Sequence, residues 1–188
     1  DPDITGIGGR VNRYTLTRDR EMANVVDYGL DGMRFDGPIG FATDNFRREH
    51  FQWTDHPLAF DHVSKKPVMP LDFSAYECAQ AIADDMHRRG KLVAANYSTI
   101  DDPSDIFHIQ LLDVVGNEML GAWTTNAKLA LQRTLAHQKT VVMSWQETKR
   151  DWPPERIERE MKQAMFYGSF YYLSDMDPVL YERWHPLT

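Results

Sequence analysis

A single cysteine, Cys78, is all the sulfhydryl chemistry this chain carries, so no internal disulfide can hold it together and the redox compartment stays open. No apolar run approaches the roughly 18 residues that mark a membrane span. The amino terminus lacks the positive-then-apolar pattern of a signal peptide. It also lacks an initiator methionine, as a processed product or a fragment would. Lysine and arginine form no run or stripe, and a formal charge of -7 argues against a nucleic-acid partner. No Gly-x-Ser-x-Gly elbow supports a serine nucleophile. Gly6-Ile-Gly-Gly9 lacks the preceding strand and the spacing of a phosphate cradle. These absences leave a soluble protein, with a secreted or periplasmic location open and neither membrane nor nucleic acid as partner.

What is present is ordinary globular composition, 42% hydrophobic and 26% charged, in 188 residues, enough for one domain with a substantial core. The most informative stretch is Tyr28-Gly-Leu-Asp-Gly-Met-Arg-Phe-Asp-Gly37. It reads as a short strand bounded by glycines. Residues i and i+2 share one face of a strand, so Arg34 and Asp36 are expected side by side. Gly37-Pro38 leaves Asp36 at the carboxyl end, where parallel α/β proteins place their ligands. A structural ion pair is the competing role for the two charges.

The units around it repeat a grammar. Thr17 is expected to cap a helix carrying Met22, Val25 and Val26, with Gly29 as its left-handed cap. Ser74-Ala-Tyr-Glu77 has the form of a capping box opening a helix to Arg89, closed by Gly90. Lys91 to Asn96 then reads as a buried strand. His108 to Gly116 is an apolar run near Asn117-Glu118, read as a strand from about residue 109. A helix over 124–137 precedes a strand over 139–145. Pro153-Pro154 opens a helix with Ile157, Met161 and Met165 on one face, then a strand over 169–174 and a last helix over 178–184. Short strands alternating with helices predict a parallel α/β sheet, either part of a closed (β/α) barrel or an open doubly wound sheet. The segment 38–71 is expected to be a long aromatic-rich loop, serving a site or packing its own small core. Its His50, His56, His62 and Asp61 match no compact metal site by spacing. Neither a metal nor any other cofactor is expected.

The octapeptide Gly29-Leu-Asp-Gly-Met-Arg-Phe-Asp36 resembles the fourth strand of barrel glycoside hydrolases. In α-amylase-like enzymes a Gly-Phe-Arg-x-Asp pattern sets an arginine two residues before the nucleophilic aspartate, and Gly32-Met33-Arg34-Phe35-Asp36 matches it with Met for Phe. Related α-galactosidase-like barrels carry Lys-x-Asp at the corresponding strand end. The later order is similar to the second half of such a barrel. Its strands four to eight would end at Asp36, Asn96, the Asp113–Glu118 region, Ser144-Trp145 and Ser174-Asp175. As architecture the resemblance covers most of the chain, and as motif only the octapeptide. A whole barrel runs to about 250 residues, so the resemblance implies three strands missing or supplied by another chain. The expectation is therefore one barrel-type domain over residues 1–188, possessing only part of the barrel.

Glycosidic hydrolysis needs one ionised and one protonated carboxyl group. Arg34 beside Asp36 favours the ionised form, which suits a nucleophile or base. The acid should sit in a less polar setting. Glu118, after Val114-Val-Gly and beside Met119 and Leu120, is the first choice, and Asp113 the competitor at the strand end. Capping or surface roles are open to both. Asn96, Tyr97, Trp145 and Trp53 are candidate sugar contacts, by amide hydrogen bonds and ring stacking, with core or rim packing as the alternative. The expected function is a glycoside hydrolase acting on carbohydrate. The rivals are a non-catalytic carbohydrate-binding or assembly subunit and an α/β enzyme with a bound metal. Exposed sheet edges of a half-barrel predict a homo-oligomer or a partner chain.

Overall fold

The computed structural model describes residues 13–36, 44–54, 56–96, 103–118, 125–145 and 153–173. The chain divides into two compact units, Asp1–Val93 and Ala94–Thr188. The first opens on a helical path made of α1 (Arg13–Leu16), a π-helical stretch (Thr17–Met22) and α2 (Ala23–Asp27). Thr17 is therefore no N-cap; it lies within the helix and is 5% exposed. A cap satisfies one or two amides, whereas continuing upstream adds a turn of backbone bonds and sets Arg18 over the Tyr14 ring. The expected close of this helix holds, since Gly29 has φ +65° and the Leu30 N–H donates to the Val25 carbonyl at 2.9 Å.

Strand β1 (Gly32–Phe35) follows directly. A side chain at residue 32 would overlap the backbone carbonyl of Leu92, so the glycine permits close approach. Helix α3 (Leu71–Arg88) has Pro70 in the N-cap position, which places Ser74 and Glu77 inside the helix. The capping box is thus not used: a proline suits the boundary because the first amides lack intrahelical partners anyway. The helix buries Ala75, Cys78, Ala79, Ile82 and Met86 along one side, and Gly90 ends it at φ +66°. Segment 38–71 carries structure of its own where it is described. A 3-10 turn (Arg48–Trp53) is followed by an antiparallel hairpin of β2 (Ala59–Phe60) and β3 (Pro67–Val68).

Beyond these come β4 (Leu92–Asn96), α4 (Pro103–Leu111), β5 (Val114–Glu118), α5 (Asn126–Ala136), β6 (Thr140–Trp145), α6 (Pro154–Phe166) and β7 (Phe170–Leu173). The five longer strands form one parallel sheet in the order β1-β4-β5-β6-β7. Its register pairs Asn96 with Gly116, Glu118 with Ser144 and Trp145 with Leu173. The strand expected from residue 109 is displaced: His108 to Leu111 belong to α4, and the strand starts at Val114. A short apolar run cannot by itself separate a buried helix turn from a strand. Ile109 and Leu112 are buried as the helix's inner side. In α6 the inner face is Ile157, Met161 and Ala164, while Met165 is 73% exposed. This face packs on Leu129, Met143 and Tyr171. The expected last helix at 178–184 and the glycine run at 6–9 lie outside the described residues. Among the described residues no helix is long and apolar enough to cross a membrane.

Lys139 ties α4 to the entry of β6. Its Nζ donates to the carbonyls of Ile109 at 3.0 Å and Gln110 at 2.6 Å, in the last turn of α4. A cation there satisfies terminal carbonyls and complements the helix dipole. Burial lowers the lysine's pKa and the charge of Asp113 opposes that shift. Lys139→Met is expected to cost about 1–2 kcal/mol, read as a lower urea midpoint at unchanged slope.

Candidate functional site

The candidate residues of the first unit lie at the end of β1 and in the 3-10 turn. Asp36 is the first residue after β1 and is exposed, as is Arg34 inside the strand, while Met33 and Phe35 are half-buried. The carboxylate thus stands at the strand's carboxyl end, on the stretch that Gly32 lets approach Leu92. Trp53 ends the 3-10 turn and is 46% exposed.

In the second unit the carboxyl ends of β4, β5 and β6 carry a polar row. Asn96 is the last residue of β4 and is 1% exposed. A side chain at Gly116 would meet the Asn96 Oδ1 at 2.5 Å and the Ala95 carbonyl at 2.9 Å, so the asparagine amide occupies the space the glycine leaves. Asn117 follows, also buried, and its Nδ2 donates to Gln132 Oε1 of α5 at 2.8 Å. Glu118 is the final residue of β5, in register with Ser144 of β6, and Trp145 ends β6. Tyr97 lies outside the described residues, as do Ser174 and Asp175.

Asp113 takes a different place from the one expected. It precedes β5, so it stands at the amino end of that strand, and Glu118 at the carboxyl end. The shift follows from α4 claiming His108 to Leu111, which moves the strand downstream. Asp113 instead supports the charge of the Lys139 ammonium. In a parallel sheet it is the carboxyl end that gathers ligands, and of these two acids Glu118 holds that position.

The loop histidines have local roles. His50 Nδ1 lies 2.9 Å from Asn45 Nδ2, and the His56 ring meets Phe73 at a 42° tilt with centroids 5.1 Å apart. His62 is on the exposed turn 3.8 Å from Asp61. Among the described residues no group of three or more His, Cys, Asp or Glu side chains is arranged to hold a metal ion.

Two polar features escaped sequence reasoning. The first is the Asn117–Gln132 bond, whose only sequence signal is an amide at the end of an apolar run. The second is Glu160 on α6, 8% exposed, whose carboxylate accepts from Arg156 Nε at 3.2 Å. Burial pushes the Glu160 pKa above the ordinary carboxylate range, and the Arg156 charge only partly offsets it. The buried Tyr171 hydroxyl is pushed up too, first by burial and then by the Glu160 charge. A glutamate one step off the Ile157–Met161–Ala164 stripe reads as solvated from the sequence, and the depth of the helix–sheet layer decides otherwise.

The chain matches no protein-family model, no curated protein and no solved structure. The raised Glu160 pKa fixes the sign of one pH effect. The folded state holds this proton more tightly than the unfolded one, so stability falls as pH rises from the ordinary carboxylate range through the raised folded value. Glu160→Gln is therefore expected to raise the melting temperature at pH 7 by about 2–4 °C, the effect of roughly 1 kcal/mol in a chain of this size. Calorimetry at pH 4 should find the difference between the two proteins gone.

Proposed function

We propose that the chain is a glycoside hydrolase-like enzyme built on part of a (β/α) barrel, with Asp36 as nucleophile or base and Glu118 as the acid/base. The observation that carries the reading is positional. Asp36 follows β1 and Glu118 ends β5, each at the carboxyl end of its own strand in a parallel sheet. In barrels and other parallel α/β folds that end carries the chemistry. The strand order supports the barrel over the doubly wound alternative. Setting aside the β2–β3 hairpin, the sheet order follows chain order without reversal. A doubly wound sheet reverses direction at a switch point, whereas a barrel is wound one way.

The chemistry divides between the two carboxylates. Arg34, two residues before Asp36, supplies a positive charge on the strand that leads into the nucleophile. Glu118 delivers a proton to the leaving oxygen and, in a retaining scheme, later takes one from water. Asn96 at the end of β4 would position sugar hydroxyls, with Tyr97, Trp145 and Trp53 offering rings to the apolar faces of the sugar. Because a glycosidase acts through its own carboxylates, the reading requires no metal or organic cofactor.

The decisive experiment is a screen of chromogenic glycosides with the wild type, Asp36→Asn and Glu118→Gln. Turnover by the wild type is expected, with a loss of at least about 100-fold in each variant. Far-UV circular dichroism checks that the variants fold. Glycan binding without turnover by the wild type overturns the enzyme claim and leaves a carbohydrate-binding subunit. The partial barrel further implies that its sheet edges are covered by another copy or another chain. Light scattering of the purified chain is expected to give a dimer or larger species, and a cooperatively folded monomer refutes the partner.

A further inference from the structure

The first unit contains a concavity of about 690 Å³ between the 3-10 turn and the β2–β3 hairpin. Arg47, Arg48 and Lys66 line it together with Phe46, Glu49 and Asp61. Three cations meet here in a chain whose overall charge is -7. Among the described residues no salt bridge joins Arg47, Arg48 or Lys66 to a carboxylate. Of the two acids, Asp61 is already occupied by its own turn. Its Oδ2 accepts the Ser64 N–H at 2.5 Å, and the Ser64 hydroxyl first and this N–H second hold its pKa below the usual range.

Both walls are fixed by hydrogen bonds. Asn45 and Met69 exchange backbone bonds of 3.0 Å in each direction, and Asn45 Oδ1 accepts the Arg47 N–H at 3.0 Å. On the other side the Asp61 N–H donates to the Lys66 carbonyl at 3.0 Å and the Lys65 N–H to the Asp61 carbonyl at 2.9 Å. Lys65 is held at φ +56°, a left-handed conformation unusual for a lysine. Tying down a turn in this way reduces the ordering cost that a ligand meets on binding.

We infer that this concavity binds an anionic saccharide, a sugar chain bearing carboxylate or sulfate groups. The inference takes its sugar class from the carbohydrate reading above, and its anion from the residues themselves. Guanidinium forks match the two oxygens of a carboxylate or sulfate in a way that a point charge does not. Phe46, 47% exposed, offers a ring for the C–H face of a sugar. The volume suits a short oligomer better than a lone ion. Glu49 remains the opposing charge, and it repels an anionic group placed at that end of the concavity.

Titration calorimetry on the full chain tests this with trigalacturonate, a sulfated disaccharide, neutral cellotriose and inorganic sulfate. An acidic saccharide is expected to bind about tenfold or more tightly than cellotriose, and to weaken as salt is raised. The double change Arg47→Gln with Arg48→Gln should weaken it about tenfold or more, the loss of at least one charge-assisted bond. Lys66→Gln should weaken it less. Arg20→Gln, the same charge change outside the concavity, should leave it unaltered, and unchanged thermal melts confirm that each variant folds. Comparing trigalacturonate with the sulfated sugar identifies which anionic group is preferred. Equal affinity for acidic and neutral sugars, retention in the double variant, or inorganic sulfate binding as tightly as the saccharide overturns the inference. The two readings fail separately. Arginine-dependent binding without any glycoside turnover sinks the hydrolase alone, and turnover without such binding sinks the saccharide site alone.

Discussion

Two parallel strands cannot be joined by a tight turn; the chain has to travel back outside the sheet before the next strand begins. The pairs β4–β5, β5–β6 and β6–β7 are all parallel, and α4, α5 and α6 make the three return journeys. Much else follows from that one constraint. Helices laid on the sheet bury strand side chains that an antiparallel sheet could leave wet, and Val93, Val115, Val141 and Met143 are all essentially inaccessible. Parallel pairing also brings all the carboxyl ends to one edge. A polar residue at the end of any strand is then set beside the polar ends of its neighbours.

Burial on this scale makes polar side chains near the edge expensive unless they find partners. Asn117 meets that demand through Gln132, which reaches it from α5. Asn96 meets a different one, since its amide fills the space over Gly116. The two positions are coupled by cross-strand register, and a larger residue at 116 forces the amide to move. At these two positions the edge is closely packed, by the amide over Gly116 and by the Asn117–Gln132 bond.

Local signals were legible where one physical cause dominates. Gly29, Gly90 and Gly168 end helices because each takes a positive φ, and the strands that follow begin within a few residues of them. Pro154 opened its helix as expected. The failures came where two local readings compete and tertiary packing chooses. Ser74 and Glu77 have the spacing of a capping box, yet Pro70 starts the helix earlier. The run from His108 to Val115 is mostly apolar, with Gln110 and Asp113 inside it, and packing divides it between α4 and β5. That division also places the two acids, because it sends Asp113 to the amino end of the strand and leaves Glu118 at the other. The strand before Asp36 was readable since glycines frame it in the sequence. The Asn117–Gln132 bond was not, since it joins a strand to the helix that follows and no periodicity reports it.

The cations of the chain show the same contrast between structural and available charge. Arg88 and Arg89 hold Asp85, Arg18 holds Asp19, Arg156 holds Glu160 and Lys162 holds Glu158. Arg133 donates to the carbonyls of Gly168, His137 and Lys139, and Lys139 in turn to α4. Each of these charges is committed to an element end or to a neighbour within one turn. Among the described residues Arg47, Arg48 and Lys66 have no such assignment, and they line one concavity whose walls are held by hydrogen bonds. Like charges repel, so gathering three of them costs stability unless something offsets it. Glu49 offsets part. An anionic ligand would offset the rest, and this is why the hairpin segment, which adds little to the sheet, is better explained by binding than by folding.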